Sequence, residues 1–461
     1  MTTLTDRQGA LSRGLAAIRV QFQVAEDFPD PVFTAVRRAT ARPLGERADW
    51  TGRMFVTLDP APSTDLDQAF AIERSGGDVV LHYAIADVAH FVTRDDPVDG
   101  EAWRRGTTVY LPDGKASLYP RPLSEGAASL LPAVDRPAVV FTVRVGADGK
   151  AVLDGVVRAV IRSSAKLAYE SVTPADLPDG FAELSRRVEQ AEDARGAERV
   201  DQPAQELVTG PSGELALAFR PQLRSEQQNA ALSLAANLAI ADLLFAHRTG
   251  LFRVMPGPDE RSIWRVRHSA KALGLVWPKA MTLAQFERTL ARDNPIHAAF
   301  RAAVRRAGPR AAYAPYQAGV VPWHSAMAAT YAHATAPLRR LADRFVIEAA
   351  LQVAAGQPVA AELDAAFQAL PAVMAKAEER ANQIDRAVLD LAEAVLLQGR
   401  EGERFPAVVT DLDDRGARIQ LGDPATITRV DGKGAMPGDS IMVELVAADP
   451  ATRQVKFQRA D

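Results

Sequence analysis

Hydrophobic and polar positions fall into distinct textures along the chain. From about residue 52 to 173, short apolar runs alternate with Gly/Pro turns, as in VVLHYAIADVAHFV (79–92) and AVVFTVRVGADGKAVLDGVVRAVIRSS (138–164). Runs of this kind predict strands. From about 180 to 400 the spacing becomes helical and Ala-rich. EQQNAALSLAANLAIADLLFAHRTG (226–250) is apolar around most of its surface, which predicts a buried helix. A second long helix is predicted over 360–400. From 402 onward, ERFPAVVTDLD, GARIQLG, ATITRV, DSIMVELVAAD and RQVKFQRA read as five strands separated by DDRG, GDP, DGKGAMPG and PATR. Five short strands with such turns fit an OB-type barrel, or a generic small β-barrel. Residues 1–48 read as short helices broken by PDP (29–31) and Pro43. The fold class is α+β, with a helical segment 1–48, a mixed domain 49–399 and a barrel 400–461.

The strand-rich region opens on an acidic loop. FVTLDPAPSTDLDQAF (55–70) places Asp59, Asp65 and Asp67 close together after a short apolar strand. Carboxylates this close repel one another unless a cation lies between them. Oxygen ligands on a flexible loop suit Mg²⁺ or Mn²⁺, with positions left open for phosphate oxygens. A solvated, Pro-rich turn has the same spacing. The flanks favour a cation site: FVTL leads in, AFAIE leads out, and 79–92 supplies a second buried strand ending in Asp87. Asp65 and Asp67 are two apart, so in an extended segment they face one side and Leu66 faces the core.

Composition narrows the field. A chain of 461 residues can bury a large core and hold two or three domains. The chain has no cysteine, which excludes disulfides, thiolate zinc sites, iron–sulfur clusters and a cysteine nucleophile. No run of about 18 apolar residues stands out, and MTTLTDRQGALSRG lacks the pattern of a secretory signal. The expectation is a cytoplasmic protein with no membrane association. The net charge of −4 argues against bulk affinity for nucleic acid, but not against a substrate held in a channel. The basic residues are mostly arginine, which forks onto phosphate; a GC-rich genome produces the same bias.

Six fragments then occur in a telling order. They are TLDPAPSTDLDQAF (57–70), LHYAIADVAHFV (81–92), GTTVYLPDGKASLYPRPLSEGAASLLP (106–132), VIRSSAKLAYESV (160–172), ALSLAANLAIADLL (231–244) and YAHATAPLRRLADRFV (331–346). Together they resemble the catalytic domain of the ribonuclease II (RNB) family of 3′-to-5′ exoribonucleases, across about residues 45–400. The resemblance implies an RNB catalytic domain and makes the C-terminal barrel S1-like, though without an obvious aromatic pair for base stacking. Family members carry one or two OB-type barrels ahead of this domain, for which residues 1–48 leave no room. AEDFPDPVFTAVRRA (25–39) resembles the helical lead-in that joins those barrels to the core. The first twenty-odd residues are expected to belong to a small helical module, with a helix-turn-helix as a further option.

The resemblance also implies site residues. Asp59 and Asp65 match metal-binding acids, with Mg²⁺ as cofactor and Mn²⁺ as substitute. Asp67 matches the acid most critical for cleavage, which holds a second metal or orients the attacking water. Gln68 stands where the family has a further aspartate; it offers only a neutral oxygen, which implies weaker metal binding, one tightly held metal with a second arriving with substrate, or an inactive chain. Arg339 matches the arginine that stabilises phosphate charge. Arg340 is expected on the backbone nearby, with Asp343 fixing one of the pair. Tyr110 matches a tyrosine that stacks on the terminal nucleotide, and Tyr169 one that lines the channel. Core packing is the alternative for each tyrosine. His333 and Thr335 share a loop and are candidate phosphate contacts. Leu207 falls where the family clamps the last base with a phenylalanine. Glu226 is the nearest acid where the family has paired glutamates. The implied function is hydrolysis of single-stranded RNA from its 3′ end, with some structured RNA, to nucleoside 5′-monophosphates. A monomer without an obligate protein partner is expected. A silent RNA-binding protein and a nuclease with relaxed sugar specificity are the alternatives.

Overall fold

The computed structural model describes residues 3–4, 9–197, 204–209, 215–291, 294–413 and 415–460. The apolar runs of the strand-rich region form one six-stranded sheet. Its order is Ala48–Asp49, Ala151–Ala168, Phe55–Asp59, Gln68–Ser75, Asp78–Ala86 and Asp135–Val145. The last strand pairs back onto Ala151–Ala168, so the sheet curls on itself. Phe55–Asp59 runs parallel to Ala151–Ala168, with Asp59 opposite Ala168. Gln68–Ser75 runs antiparallel to Phe55–Asp59, with Val56 opposite Phe70. Asp59, Gln68 and the residue after Ala168 therefore meet at one end of the sheet, where residues 60–67 connect. Leu66 is fully buried in the core, as its place between two acids predicts.

The helix Arg224–Ala246 packs on the sheet. Ala231, Leu232, Ala235, Ala236, Ala239 and Ile240 are buried in the same core as Phe70, Tyr83 and Phe141. Small side chains let the helix lie close to the strands. The sequence predicts a buried helix here, although by length and composition it is also apolar enough to cross a membrane. Its burial instead makes it a core element. Four of its polar residues, Ser225, Asn229, Ser233 and Asn237, recur every fourth position and so form one stripe.

The helical texture of 180–400 is interrupted by strands that the periodicity does not reveal. Ala204–Thr209 pairs with Leu215–Arg220, and Leu251–Val254 pairs with Ala312–Pro315. Between the latter two strands, helices Glu260–Ala272, Leu283–Arg288 and Pro295–Ala307 enclose a separate small core, in which Trp277 stacks on Phe286 at 5.2 Å.

The helix-turn-helix option does not hold at the N-terminus. Helix Ala10–Gln21 buries Leu11, Leu15 and Ile18 in a cluster with Ile384, Val388 and Leu391 of the long helix Ala361–Leu397. Helix Asp30–Thr40 buries Val32, Val36 and Ala39 in the main core. The two helices cover different surfaces and do not form a unit of their own. Gly14 is required for the first contact: a Cβ there would lie 2.5 Å from Leu391. Thr3–Leu4 pairs with Leu215–Arg220.

The C-terminal strands form a five-stranded sheet in the order Thr426–Val430, Gly416–Leu421, Arg404–Asp413, Ser440–Asp449, Gln454–Arg459. Its two edge strands approach each other, so it is nearly closed. Phe405 and Phe457 meet edge to face inside it. Leu397, the last residue of the long helix, is buried in this barrel's core.

Candidate active site

Asp59 ends its strand, and its carbonyl accepts the N–H of Tyr169 at 3.1 Å. Its carboxylate oxygen Oδ2 is buried with no hydrogen-bond partner among the described residues. Burial pushes this carboxyl up to about 6; Arg339 opposes the shift and Asp65 adds to it. Asp67 is 4% exposed. Its Oδ1 accepts the Leu338 N–H at 2.7 Å, and its Oδ2 lies 3.4 Å from Arg339 Nε. Burial lifts Asp67 to about 7 against the pull of Arg339 and the Leu338 bond.

Residues 332–340 carry Arg339 on a tightly held loop. Asn237, from the polar stripe, accepts the Ala334 N–H at 3.0 Å and donates to Thr335 Oγ1 at 3.4 Å. Asp343 accepts the Ala336 N–H at 2.8 Å and pairs with Arg340 at 2.8 Å. The Arg339 carbonyl accepts from Thr107 Oγ1 at 2.8 Å and the Thr108 N–H at 3.0 Å. The backbone is thus fixed while the Arg339 side chain stays 46% exposed, placed to meet a ligand.

A hairpin, Val109–Leu111 with Gly114–Ala116, supplies the opposite wall. It sets Tyr110 across from Lys115, and cross-strand partners project to the same side. The exposed Tyr110 reaches Asp65 Oδ2 with its hydroxyl at 3.5 Å. Lys115 Nζ donates to Asp65 Oδ1 at 2.7 Å and lies 3.2 Å from Glu125 Oε1. The set combines buried acids, a half-exposed arginine and an exposed aromatic ring, a combination suited to holding a phosphodiester beside a stacked base.

The sequence matches the RNB domain over residues 47–353 and the RNase II-type exonuclease C-terminal S1 domain over 403–460. The chain belongs to the RNB family. Among curated relatives, ribonuclease R of Thermotoga maritima is 25% identical over 86% of this chain and 60% of that protein. Ribonuclease R of Escherichia coli is 28% identical over 82% of this chain and 50% of that protein. The chain thus spans between half and two thirds of the length of these relatives. Among solved structures, Mycoplasma genitalium RNase R in complex with ribose-methylated single-stranded RNA superposes with a TM-score of 0.85 at 20% identity, covering 99% of this chain and 79% of that one. Yeast Ssd1, a pseudonuclease, superposes with a TM-score of 0.68 at 16% identity, covering 96% and 58%.

Within this RNB chain, the structure brings Asp59, Asp65, Asp67, Tyr110, Tyr169 and Arg339 around the same end of the sheet. Other expected contacts lie elsewhere or are already occupied. Gln68 Oε1 receives the Ser233 hydroxyl at 3.0 Å and the Tyr83 hydroxyl, so two donors take the place of a cation. Tyr169 is fixed by Asn229, whose side chain donates to its hydroxyl at 2.7 Å. Leu207 packs into the cluster that Val109 and Leu111 also face, whereas Tyr110 alternates to the other face of their strand. The structure therefore pairs no base clamp from Leu207 with Tyr110. His333 shares a 2.9 Å hydrogen bond with the Tyr313 hydroxyl. Burial, then Arg340, keeps it well below the usual histidine range, so it is neutral and brings no charge to a phosphate. Thr335 is buried under Asn237. Glu226 accepts the Leu223 N–H at 2.7 Å and pairs with Arg220, which makes it a helix cap. Asp87 is held by Arg47 at 2.8 Å and Arg158 at 3.1 Å, a structural pair. Sequence reasoning missed Lys115, Glu125, Asn229 and Asn237.

The acids fit a divalent cation. A buried Asp59 oxygen without a donor, on one of two carboxyls driven upward, marks a place where positive charge is lacking. Among the described residues no three acids or histidines converge on one point, so an ion held there would draw part of its coordination from water and substrate.

Proposed function

We propose that the chain is a 3′-to-5′ exoribonuclease that hydrolyses single-stranded RNA to nucleoside 5′-monophosphates. The observation that carries this reading is the half-exposed Arg339 guanidinium, 3.4 Å from the buried Asp67 carboxylate, with Asp59 and Asp65 alongside. Asp59, Asp65 and Asp67 would hold Mg²⁺, or Mn²⁺ in its place. Such an ion polarises the phosphoryl oxygen and activates water. Asp67 orients the water for in-line attack on the last phosphodiester. Arg339 stabilises the charge that grows on the phosphoryl oxygens. Tyr110 stacks on the terminal base. In the S1-like barrel, Arg415, Arg429, Lys433 and Lys456 line one groove. Asp431 and Phe457 line it as well, and the four cations suit it to the phosphate backbone.

The reading places the protein in the cytoplasm as a monomer acting on RNA 3′ ends. A second reading, an RNA-binding protein without activity, is favoured by Gln68, whose oxygen is engaged by hydroxyls. End-labelled poly(A), incubated with Mg²⁺ and with EDTA, separates the two. A ladder or mononucleotide that EDTA abolishes supports the enzyme. Bound but intact RNA supports the silent form.

A further inference from the structure

Lys115 has no part in the mechanism above, yet it sits among the acids. Its ammonium is 2.7 Å from Asp65 Oδ1 and 3.2 Å from Glu125 Oε1. The three side chains are 17%, 12% and 21% exposed, so water screens them weakly. Glu125 is held in turn by the Thr64 hydroxyl at 3.0 Å. The lysine is placed by the hairpin register opposite Tyr110, not by a flexible reach from the surface.

Paired-metal phosphodiesterases place two ions about 3.5–4 Å apart, held by shared carboxylates. Here the shared carboxylate, Asp65, already gives one oxygen to an ammonium. Gln68 adds no charge, and its oxygen is taken by Ser233 and Tyr83. Lys115 contacts Asp65 and Glu125, and Arg339 contacts Asp67, while Asp59 feels Arg339 and Lys166 only at longer range. Arg121, 3.8 Å from Glu125 and 71% exposed, is a screened partner at the rim. Asp59, whose buried Oδ2 has no hydrogen-bond partner among the described residues, is thus left for one divalent ion.

We propose that the Lys115 ammonium takes the place of a second cation, so that the site works with one divalent ion. An ammonium is a compact, strongly localised charge with three donors. It can neutralise Asp65 and Glu125 permanently and donate to a phosphate oxygen, but it cannot activate water. That task stays with the single ion near Asp59 and Asp67. This inference rests on the metal-assisted reading of the site.

The test is a count of bound ions, made without turnover. Mn²⁺ is titrated into the full chain, alone and with a ribose-methylated adenosine oligomer, and followed by calorimetry and electron paramagnetic resonance. The wild type is expected to bind one Mn²⁺ in both conditions, with no spin coupling between ions. Lys115→Ala, which leaves Asp65 and Glu125 without their cation, is expected to take a second Mn²⁺ when the oligomer is present. Lys115→Arg is expected to keep one. Two ions in the wild type, or one in a folded Lys115→Ala chain, overturns the proposal. If Lys115→Ala does not fold, the wild-type count and Lys115→Arg still decide it. A wild type that binds no Mn²⁺ and cleaves in EDTA overturns the metal-assisted reading itself, and this proposal with it.

Discussion

The Asp67 carboxylate accepts the backbone N–H of Leu338 at 2.7 Å, one residue before Arg339. A single buried acid thus lies beside the Arg339 guanidinium and also holds the loop that presents it. The two roles separate by substitution. Asp67→Asn keeps an oxygen for Leu338 and removes the charge. Cleavage of poly(A) is expected to fall by at least ~10²-fold, the scale of losing one transition-state group, with RNA affinity retained by gel shift. Near-normal turnover would remove Asp67 from the chemistry.

Asn237 tests the support of the same loop. Asn237→Ala leaves the Ala334 N–H buried without its acceptor, which costs about 1–3 kcal/mol. The loop carrying Arg339 loosens with it. Turnover is expected to drop more than RNA binding weakens, alongside a lower melting temperature. A stable variant with unchanged kcat would mean the loop is held by Asp343 alone.

Leu207 gives a prediction that the sequence and the structure answer differently. As a base contact, Leu207→Phe would shorten the end product. Packed against the cluster beneath the hairpin, the larger ring overfills the site and costs about 1–3 kcal/mol. The structure therefore predicts a lower melting temperature and an unchanged product length on a poly(A) sizing gel.

Glu393 makes stability depend on pH. It is 6% exposed on the long helix, where it accepts from Gln205 Nε2 at 2.5 Å and the Ile427 N–H at 3.1 Å. Burial raises it to about 7, and the two hydrogen bonds oppose the rise. A carboxyl that binds its proton more tightly in the folded state destabilises that state when it ionises. The penalty is absent below pH ~4.5, grows as pH rises and is complete above pH ~7. Stability is expected to fall between pH 5 and 8, by a few kcal/mol at most, and the melting temperature with it. Glu393→Gln keeps the acceptor and should flatten that slope. Equal slopes in calorimetric scans would show that other groups set it.

Gln68→Asp tests the neutral position at the start of its strand. A carboxylate there still receives Ser233 and Tyr83 but adds buried charge. The metal-free variant is expected to melt lower than wild type and to gain more from added Mg²⁺ in thermal shift. An unchanged gain would mean that position 68 does not sense the ion.

Much of the architecture was legible because periodicity reports burial. The five C-terminal strands, the buried helix before residue 250 and the burial of Leu66 follow from apolar spacing alone. The short strands Ala204–Thr209 and Leu251–Val254 were not legible, since AQELVT does not alternate and LFRV has only four residues. At the site, the motif pointed to the acids and Arg339, which the structure brings to one end of the sheet. Lys115 was overlooked because its meaning lies in register: VYLPDGKA closes on a two-residue turn, which sets position 115 across from 110. Asn229 and Asn237 were hidden in a helix read for its apolar residues, although their fourfold spacing with Ser225 and Ser233 was the available signal. His333 and Leu207 were over-read, because motif position cannot say whether a side chain is consumed by packing.

The long helix has a mechanical consequence. Gly106, beside the threonines that hold Arg339, approaches Ala377 so closely that a Cβ would lie 2.6 Å away. Leu397 is anchored in the barrel. Pro371, which removes a helical hydrogen bond, comes before this stretch and leaves it unbroken. Some twenty residues of helix make a rod of about 30 Å. The barrel is therefore mounted on a strut, not tethered by a linker. On the proposed function, an RNA held at both ends would meet a fixed span, and the shortest one to reach both would be set by the length of that rod.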